Sequence, residues 1–314
     1  SHETIDTAWI IIKEVLAPIA IGKEWKAPSE IGLWFKQIRG HQMARAAVEN
    51  ACWDMTARIN NVALHKLLGG THKEIPCGVS IGIQDTPEQL LEKIRIEVEA
   101  GYRRIKIKIK PGWDYDILKL VRQAFPDITL SVDANSAYTL ADINLLKSLD
   151  EFNLLMIEQP LSHDDIVDHA HLQKQITTDI CLDEPITSLD KTRKAIEMKS
   201  GRIINLKLGR VGGFSEAIKI HNYCDEHNIP VWCGGMLEAG IGRSHNIAMS
   251  TLAGFSLPGD VSASKRYFRE DIIEPPVTVS KDGFIKITQV TGTGYEPKED
   301  YIERITARKE VFPA

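Results

Sequence analysis

Short apolar runs rich in β-branched residues return at nearly even intervals along the chain. Seven runs are clear, and an eighth, weaker run ends near Val261. The seven cover residues 75–81, 104–109, 128–133, 154–158, 180–183, 203–208 and 231–233. Their polar ends follow one another at intervals of 25, 25, 25, 24 and 26 residues, at Lys108, Asp133, Glu158, Asp183, Lys207 and Cys233. Short strands that alternate with helices predict βα units and a parallel sheet.

The segments between the runs carry helix signals. Thr86 precedes Pro87 at the start of one segment, as an N-cap followed by proline at the first helical position. Gly101 stands where that helix would end, at a position that favours the left-handed conformation. In a later segment, Ser188 predicts the start of a helix that ends at Gly201.

Eight units of this length predict an α/β fold of the (β/α)₈ barrel type, since they fill about 200 residues, the minimum for such a barrel. An open, doubly wound sheet is the alternative. That fold normally carries a glycine-rich phosphate loop after its first strand, and residues 77–82 contain no GxGxxG. We therefore expect a barrel domain over residues 71–276.

The two ends of the chain lack apolar runs at this regular spacing. Residues 1–70 are predicted to be helical, and residues 277–314 to form strands around an Asp282-Gly283 turn. A long helix, ended by Leu68-Gly69-Gly70, would have one apolar face made by Ala44, Ala47, Val48, Ala51, Met55 and Ile59. We expect both ends to form one α+β capping domain. Because its sheet lacks partner strands, we also expect an N-terminal segment that is missing before Ser1.

Composition limits the function classes. The 314 residues are 43% hydrophobic and 26% charged, with a net charge of −5 and no long run of one sign, which argues against nucleic-acid or membrane partners. Five cysteines without a CxxC pair indicate reduced core thiols in a cytosolic protein. No apolar run reaches the roughly 18 residues of a membrane span. We expect a cytoplasmic protein that forms a homo-oligomer.

Three consecutive runs end in a carboxylate, at Asp133, Glu158 and Asp183. In a barrel, catalytic groups lie at the carboxyl ends of the strands, and neighbouring strands are about 4.8 Å apart. Three negative charges in one site repel unless a cation is present. Oxygen ligands suit a hard divalent ion, Mg²⁺ or Mn²⁺ rather than Zn²⁺.

Lysines bracket this carboxylate triplet. Lys106, Lys108 and Lys110 share one face of the second run, and Lys207 ends the sixth. In a closed barrel these two runs face each other across the metal. A lysine beside a divalent cation and another lysine has its pKa lowered towards the range of a general base. Such a set could remove a proton α to a carboxylate and stabilise the enolate.

Each of these residues alone has an ordinary structural explanation. A strand lysine usually snorkels to solvent, and an acidic residue at a strand end usually caps a turn or helix. The regular spacing of all five favours a site. Arg103 and Arg104 are interpreted as a solvated strand start, and residues 209–213 either as an anion-binding loop or as a tight βα turn.

At these residues the sequence resembles the muconate-lactonising subgroup of the enolase superfamily, and within it the o-succinylbenzoate synthase / N-succinylamino acid racemase family. The resemblance covers essentially the whole chain. Its motifs include Lys106-Ile107-Lys108, Asp133-Ala134-Asn135, Ile157-Glu158-Gln159-Pro160, Leu182-Asp183-Glu184-Pro185, Asn205-Leu206-Lys207 and residues 234–246. It implies Mg²⁺, with Mn²⁺ as a substitute, bound by Asp133, Glu158 and Asp183.

The resemblance also implies roles for the remaining site residues. Lys108 would be the base on one face of the substrate, and Lys207 the acid/base or cationic stabiliser on the other. Lys106 would keep the pKa of Lys108 low. The small-molecule carboxylate substrate would be bound by Lys106, Ser80, Asn135, Arg210, Gly235, Met236 and Leu237.

Two activities follow from the resemblance. The first is o-succinylbenzoate synthase, a Mg²⁺-dependent dehydration of a succinyl-hydroxycyclohexadiene-carboxylate in menaquinone biosynthesis. The alternative is racemisation of N-succinylamino acids by the same two lysines, and one enzyme can do both. A metal-dependent barrel hydrolase would need histidine ligands, which the strand ends do not supply. A non-catalytic barrel would have no reason to keep two lysines around three carboxylates.

Overall fold

Eleven β-strands occur in residues 2–312, the part of the chain that the computed structural model describes. They are β1 (Glu74–Pro76), β2 (Gly78–Ile81), β3 (Arg104–Lys108), β4 (Leu130–Asp133), β5 (Ile157–Glu158), β6 (Ile180–Leu182), β7 (Ile203–Leu206), β8 (Val231–Cys233), β9 (Ile273–Glu274), β10 (Phe284–Lys286) and β11 (Glu296–Pro297). Strands β2 to β8 form one parallel sheet in chain order. The expected α/β fold with a parallel, barrel-type sheet is confirmed.

An irregular segment around Gly259 takes the place of an eighth strand. The amide of Gly78 donates to the carbonyl of Gly259 (2.7 Å), and the amide of Asp260 donates to the carbonyl of Cys233 (2.8 Å). The segment therefore joins β8 to β2 and closes the barrel where the eighth run was predicted. It pairs only through isolated bridges.

The first predicted strand, 75–81, is in fact two strands. β1 pairs antiparallel with β10, with Ile75 opposite Ile285, whereas β2 enters the barrel beside β3. The prediction of strands around the Asp282-Gly283 turn is therefore only partly right. β10 follows the turn but pairs with β1, and the chain then forms a helix.

The helices of the described chain surround this sheet and form the ends. They are α1 (Ile5–Ile11), α2 (Ala17–Ile21), α3 (Ser29–Trp34), α4 (Gln42–Ile59), α5 (Leu64–Leu67), α6 (Pro87–Glu99), α7 (Tyr115–Ala124), α8 (Ile143–Ser148), α9 (Val167–Gln173), α10 (Leu189–Met198), α11 (Leu208–Val211), α12 (Phe214–Glu226), α13 (Gly240–Met249) and α14 (Glu299–Ile305). A π-helical turn, Ile12–Leu16, joins α1 to α2. None of these helices is long and apolar enough to cross a membrane.

Helix caps largely follow the sequence signals. The Thr86 side chain accepts a hydrogen bond from the Gln89 amide at the start of α6, and Gly101 follows the helix with φ +93°. A Cβ at Gly101 would lie 2.1 Å from the Lys281 carbonyl oxygen, so only glycine fits there. Ser188 caps α10 as predicted, but that helix ends at Met198 with Lys199 in the left-handed region, not at Gly201.

The predicted apolar face of α4 is mostly wrong, since only Ala44 of it is buried and Val48 is half-buried. Ala47 and Ala51 are exposed, Met55 is 45% exposed and Ile59 is 73% exposed. The buried face consists of Ala44, Ala46, Glu49, Asn50, Cys52 and Ala57. The helix also ends at Ile59, before the predicted Leu68-Gly69-Gly70 stop.

Glu49 explains why the buried face of α4 differs from the predicted one, because its buried carboxylate caps another helix. It accepts hydrogen bonds from the amides of Phe214 (2.7 Å) and Ser215 (3.0 Å) at the start of α12, and from the Trp53 indole (2.8 Å). An acidic group at a helix N-terminus satisfies free amides and complements the helix dipole. Burial raises the pKa of Glu49. This carboxylate links α4 to the barrel.

The five cysteines are all buried and free, as the absence of CxxC pairs predicted. The core of the molecule lies between the sheet and its helices. Among its largest fully buried side chains are Trp232, Phe214, Ile105 and Ile107.

Candidate active site

A cavity of about 340 Å³ lies at the carboxyl ends of the barrel strands. Every strand of the parallel sheet except β5 contributes a residue at or near its carboxyl end, so the cavity gathers residues that are far apart in sequence. Its lining includes Ser80, Lys106, Lys108, Asp133, Asn135, Asp183, Glu184, Lys207, Arg210, Gly235, Leu237, Glu238, Arg243, Asn246, Asp260, Ser262 and Tyr267. Most of the predicted site residues are therefore in one place.

The three carboxylates lie on adjacent strands, as the spacing predicted. Asp133 pairs in register with Glu158, which pairs with Cys181, and Asp183 follows β6 two residues after Cys181. All three are buried, with exposures of 2%, 0% and 1% respectively. Glu158 lies below the cavity lining, where its Oε1 accepts a hydrogen bond from Asn205 Nδ2 at 2.7 Å.

Each carboxylate contacts at least one cationic side chain. Lys108 Nζ lies 2.6 Å from Asp133 Oδ2, and Lys207 Nζ lies 2.8 Å from Asp183 Oδ2. Lys106 Nζ lies 2.7 Å from Glu158 Oε2 and 3.6 Å from Asp133 Oδ2. In this arrangement no three acidic, histidine or cysteine side chains of residues 2–312 converge closely enough to hold a metal ion. The chemistry of the donor set still fits a hard divalent cation, because it consists of three buried oxygen ligands on neighbouring strands.

The carboxylates control the charge of two lysines. Burial lowers the pKa of Lys106, but Asp260, Glu158 and Asp133 raise it more, so that it lies above its ordinary value. Burial also lowers the pKa of Lys207, and Asp183 outweighs that effect and raises it. Both side chains are therefore cationic here. The lowered lysine pKa expected beside a divalent ion stays a prediction.

Two charged side chains of this site were not foreseen from the sequence. Arg104 is fully buried, forms an ion pair with Asp260 and stacks over Trp232 at 4.5 Å from the ring centroid. The interpretation of Arg104 as a solvated residue is therefore wrong, although Arg103 is exposed. Asp260 also lies 2.8 Å from Lys106 Nζ. Asp260 lies near the end of the weak eighth run, so its place among the strand ends was predictable, although its ion pair with Arg104 was not.

The predicted substrate residues fall into two groups. Ser80, Asn135, Arg210, Gly235 and Leu237 line the cavity together with Lys106. Met236 does not line it, and its amide donates to Glu238 Oε2 at 2.8 Å.

Glycine is required beside Lys207. A Cβ at Gly234 would lie 2.4 Å from Lys207 Cε and 2.1 Å from Asn205 Oδ1. The backbone after β8 therefore approaches Lys207 closely and limits where its side chain can lie.

The glycine-rich segment 209–213 consists of the end of the short helix α11 and a tight turn at Gly212-Gly213, and not of an anion-binding loop. Gly212 and Gly213 have φ values of +91° and +114°. The first amides of α12 are already bound by Glu49. Arg210, within this segment, forms an ion pair with Asp183.

Comparisons with known proteins agree with this geometry. The model of the enolase C-terminal domain-like family matches residues 89–301, and that of the mandelate racemase / muconate lactonizing enzyme N-terminal domain matches residues 3–69. The chain is 53% identical to o-succinylbenzoate synthase of Geobacillus kaustophilus over 312 residues, which are 99% of this chain and 83% of that protein. It is 46% identical to N-succinylamino acid racemase of Thermus thermophilus, over 97% of this chain and 82% of that protein.

A solved structure gives the same result. The crystal structure of an enolase superfamily member from Listeria innocua superposes with a TM-score of 0.93 at 46% identity, and covers 97% of this chain and 82% of that one. The fold, the position of the charged cavity and the sequence likeness lead to one conclusion. The chain belongs to the enolase superfamily.

Proposed function

We propose that this protein is an o-succinylbenzoate synthase. The observation that carries the proposal is the arrangement of Lys108, which ends β3, and Lys207, which follows β7 four places further round the barrel; together they flank three buried carboxylates. Three relatives with that name are 46% to 53% identical to the chain. The reaction would remove water from a succinyl-hydroxycyclohexadiene-carboxylate to give 2-succinylbenzoate.

Asp133, Glu158 and Asp183 would hold Mg²⁺, for which Mn²⁺ could substitute. When bound, Mg²⁺ supplies positive charge that stabilises the negative charge developing on the substrate carboxylate. Lys108, as the free amine, would take the proton from the carbon next to that carboxylate. Lys108, now protonated, would give this proton to the hydroxyl group, which leaves as water, and the ring becomes aromatic. Lys207 would stabilise the anionic intermediate from the opposite face.

The other side chains of the cavity would position the substrate. Lys106, Ser80 and Asn135 lie along the ends of β2 to β4, beside Lys108. Gly235 and Leu237 would contribute contacts from the loop after β8. Water would be excluded from the deep part of the site, where Glu158 and Lys106 are buried.

Racemisation of N-succinylamino acids is the second candidate. Arg210 favours it, because this cation is paired with Asp183 and so lies close to Lys207. A relative named N-succinylamino acid racemase is 46% identical to the chain. Two lysines on opposite faces of one α-carbon would take the proton from one side and return it on the other.

Side-by-side assays test the proposal. The purified protein with MgCl₂ is expected to convert the cyclohexadiene substrate to 2-succinylbenzoate, followed by absorbance. Racemisation of N-succinyl-phenylalanine, followed by optical rotation, would add the second activity. If neither substrate reacted, both proposals would be wrong.

We also propose the cellular compartment, the domain division and the oligomeric state of the enzyme. Five buried free thiols support a reducing compartment, the cytoplasm. The division into a capping domain (1–70 and 277–314) and a barrel domain (71–276) stays a prediction, as does the homo-oligomer, which sedimentation velocity would test.

A further inference from the structure

Arg243 of α13 is a buried arginine in the cavity wall. The residue is 3% exposed. Its Nη2 donates to the backbone carbonyl of Glu238 at 2.8 Å, but its Nη1 is buried without any hydrogen-bond partner. Within the described chain, the guanidinium forms no ion pair with any carboxylate, in contrast to Arg104, which is buried against Asp260.

The nearest groups compensate only part of this charge. The rings of Tyr267 and Phe268 lie 5.5 and 5.9 Å from the guanidinium carbon, distances at which a cation–π attraction operates. The carboxylate of Glu238 is engaged elsewhere, by the Met236 amide and the Asn246 side chain. A buried cation without an anion is costly, so the guanidinium is suited to an anionic ligand.

The other cations of the cavity are already paired. Lys106, Lys108, Lys207 and Arg210 each contact a carboxylate of the barrel. Arg243 differs from them in this respect, and it reaches the same cavity from the helix after β8. Asn246, one turn further along α13, also lines the cavity. The cavity therefore has a deep charged end and a separate cationic position in its wall.

We propose that Arg243 binds the second, non-reacting carboxylate of a dicarboxylate substrate. This inference rests on the proposed function and specifies its substrate class, since both candidate substrates end in a succinyl carboxylate. A planar guanidinium can donate two parallel hydrogen bonds to a carboxylate, which gives direction as well as charge. Arg243 would select substrates with a terminal carboxylate over neutral ones of the same shape.

Calorimetry with a matched ligand pair tests the proposal. The ligands are N-succinyl-phenylalanine and the analogue in which a primary amide replaces the succinyl carboxylate, each measured with MgCl₂ present. The unaltered protein is expected to bind the carboxylate ligand roughly 10- to 100-fold more tightly. Arg243→Gln should lose this preference, and Arg243→Lys should retain part of it. Arg103→Gln, which removes an exposed arginine stacked on Phe284, should keep it in full.

Equal affinity of the unaltered protein for the two ligands would overturn the proposal, even if Arg243→Gln failed to fold. A folded Arg243→Gln variant that still prefers the carboxylate ligand as strongly as the unaltered protein would overturn it as well. The proposed function is judged separately, from turnover. If the protein discriminates between the two ligands but converts neither candidate substrate, the Arg243 carboxylate site is supported and the proposed function is wrong.

Discussion

Lys108 ends β3 and Lys207 follows β7, and these strands are four places apart in a closed ring of eight barrel segments, so the two lysines face each other across the cavity. Each is paired with a different carboxylate, Asp133 and Asp183 respectively, at 2.6 and 2.8 Å. A substrate carbon between them would meet one amine on each side. A site with an amine on each side can take a proton from one face of the substrate and return it to the other. A site with a single amine acts on one face only.

Replacement of either lysine should stop the reaction and leave the fold intact. Lys108→Ala and Lys207→Ala are each expected to lower dehydration or racemisation by at least about 100-fold, since the first removes a general base and the second a base or the cation that stabilises the intermediate. Lys110→Ala is the matched control, because Lys110 belongs to the same lysine-rich run but is exposed. Near-normal turnover in either active-site variant, measured beside an unchanged circular dichroism spectrum, would disprove the two-lysine mechanism.

Activity should require a divalent cation. Chelation with EDTA is expected to abolish turnover, and Mg²⁺ or Mn²⁺ to restore it. Titration calorimetry should show that Asp183→Asn weakens Mg²⁺ binding by at least about tenfold. Asp179→Asn, at a surface ion pair with Arg202, serves as control. Full activity in EDTA would remove the metal from the account.

Asp260 should stabilise the fold as well as the site. Asp260→Asn would leave Arg104 and Lys106 with less negative charge around them, and we expect the free energy of unfolding to fall by about 3–5 kcal/mol. Urea denaturation measures it. Asp190→Asn, at an exposed helix pair with Arg193 and Lys194, should have little effect. If both substitutions lowered the free energy of unfolding equally, the ion pairs of Asp260 would contribute no more to stability than the exposed pairs of Asp190.

The stability of the protein should fall as the pH is lowered from about 6.5 to about 4. Burial lowers the pKa of His245 to about 4, partly opposed by Asp54. The unfolded chain takes up this proton near pH 6.5, before the folded one does, so the stability from neutral His245 is lost in that window, by about 3 kcal/mol.

His245→Gln should flatten the stability curve over this range, whereas His171→Gln, on the exposed side of α9, should not. Urea denaturation at pH 7 and pH 4.5 would give the change in the free energy of unfolding with pH for each variant. A slope that His245→Gln leaves unchanged would assign the acid sensitivity to other groups.

The barrel and its charged strand ends were predictable because they depend on local order along the chain. Each of Lys108, Asp133 and Glu158 is the last residue of its strand, and Asp183 follows β6 directly. A regular interval in sequence becomes a regular position in a parallel barrel, so periodicity alone brought these side chains together.

The errors have a different origin, since they involve partners that are distant in sequence. Arg104 is buried because Asp260, 156 positions away, balances its charge. The buried face of α4 is set by Glu49, whose partners at the start of α12 lie 165 positions away. A polar residue that is satisfied by a remote partner reverses the usual relation between polarity and exposure, and no local pattern reveals it.

The most direct test of the central claim is α-proton exchange in D₂O, followed by NMR for each enantiomer of N-succinyl-phenylalanine. If Lys108 and Lys207 work from opposite faces of the substrate, the enzyme with Mg²⁺ should introduce deuterium at the α-carbon of both enantiomers. Exchange in one enantiomer alone would mean that a single base operates, and would contradict the account.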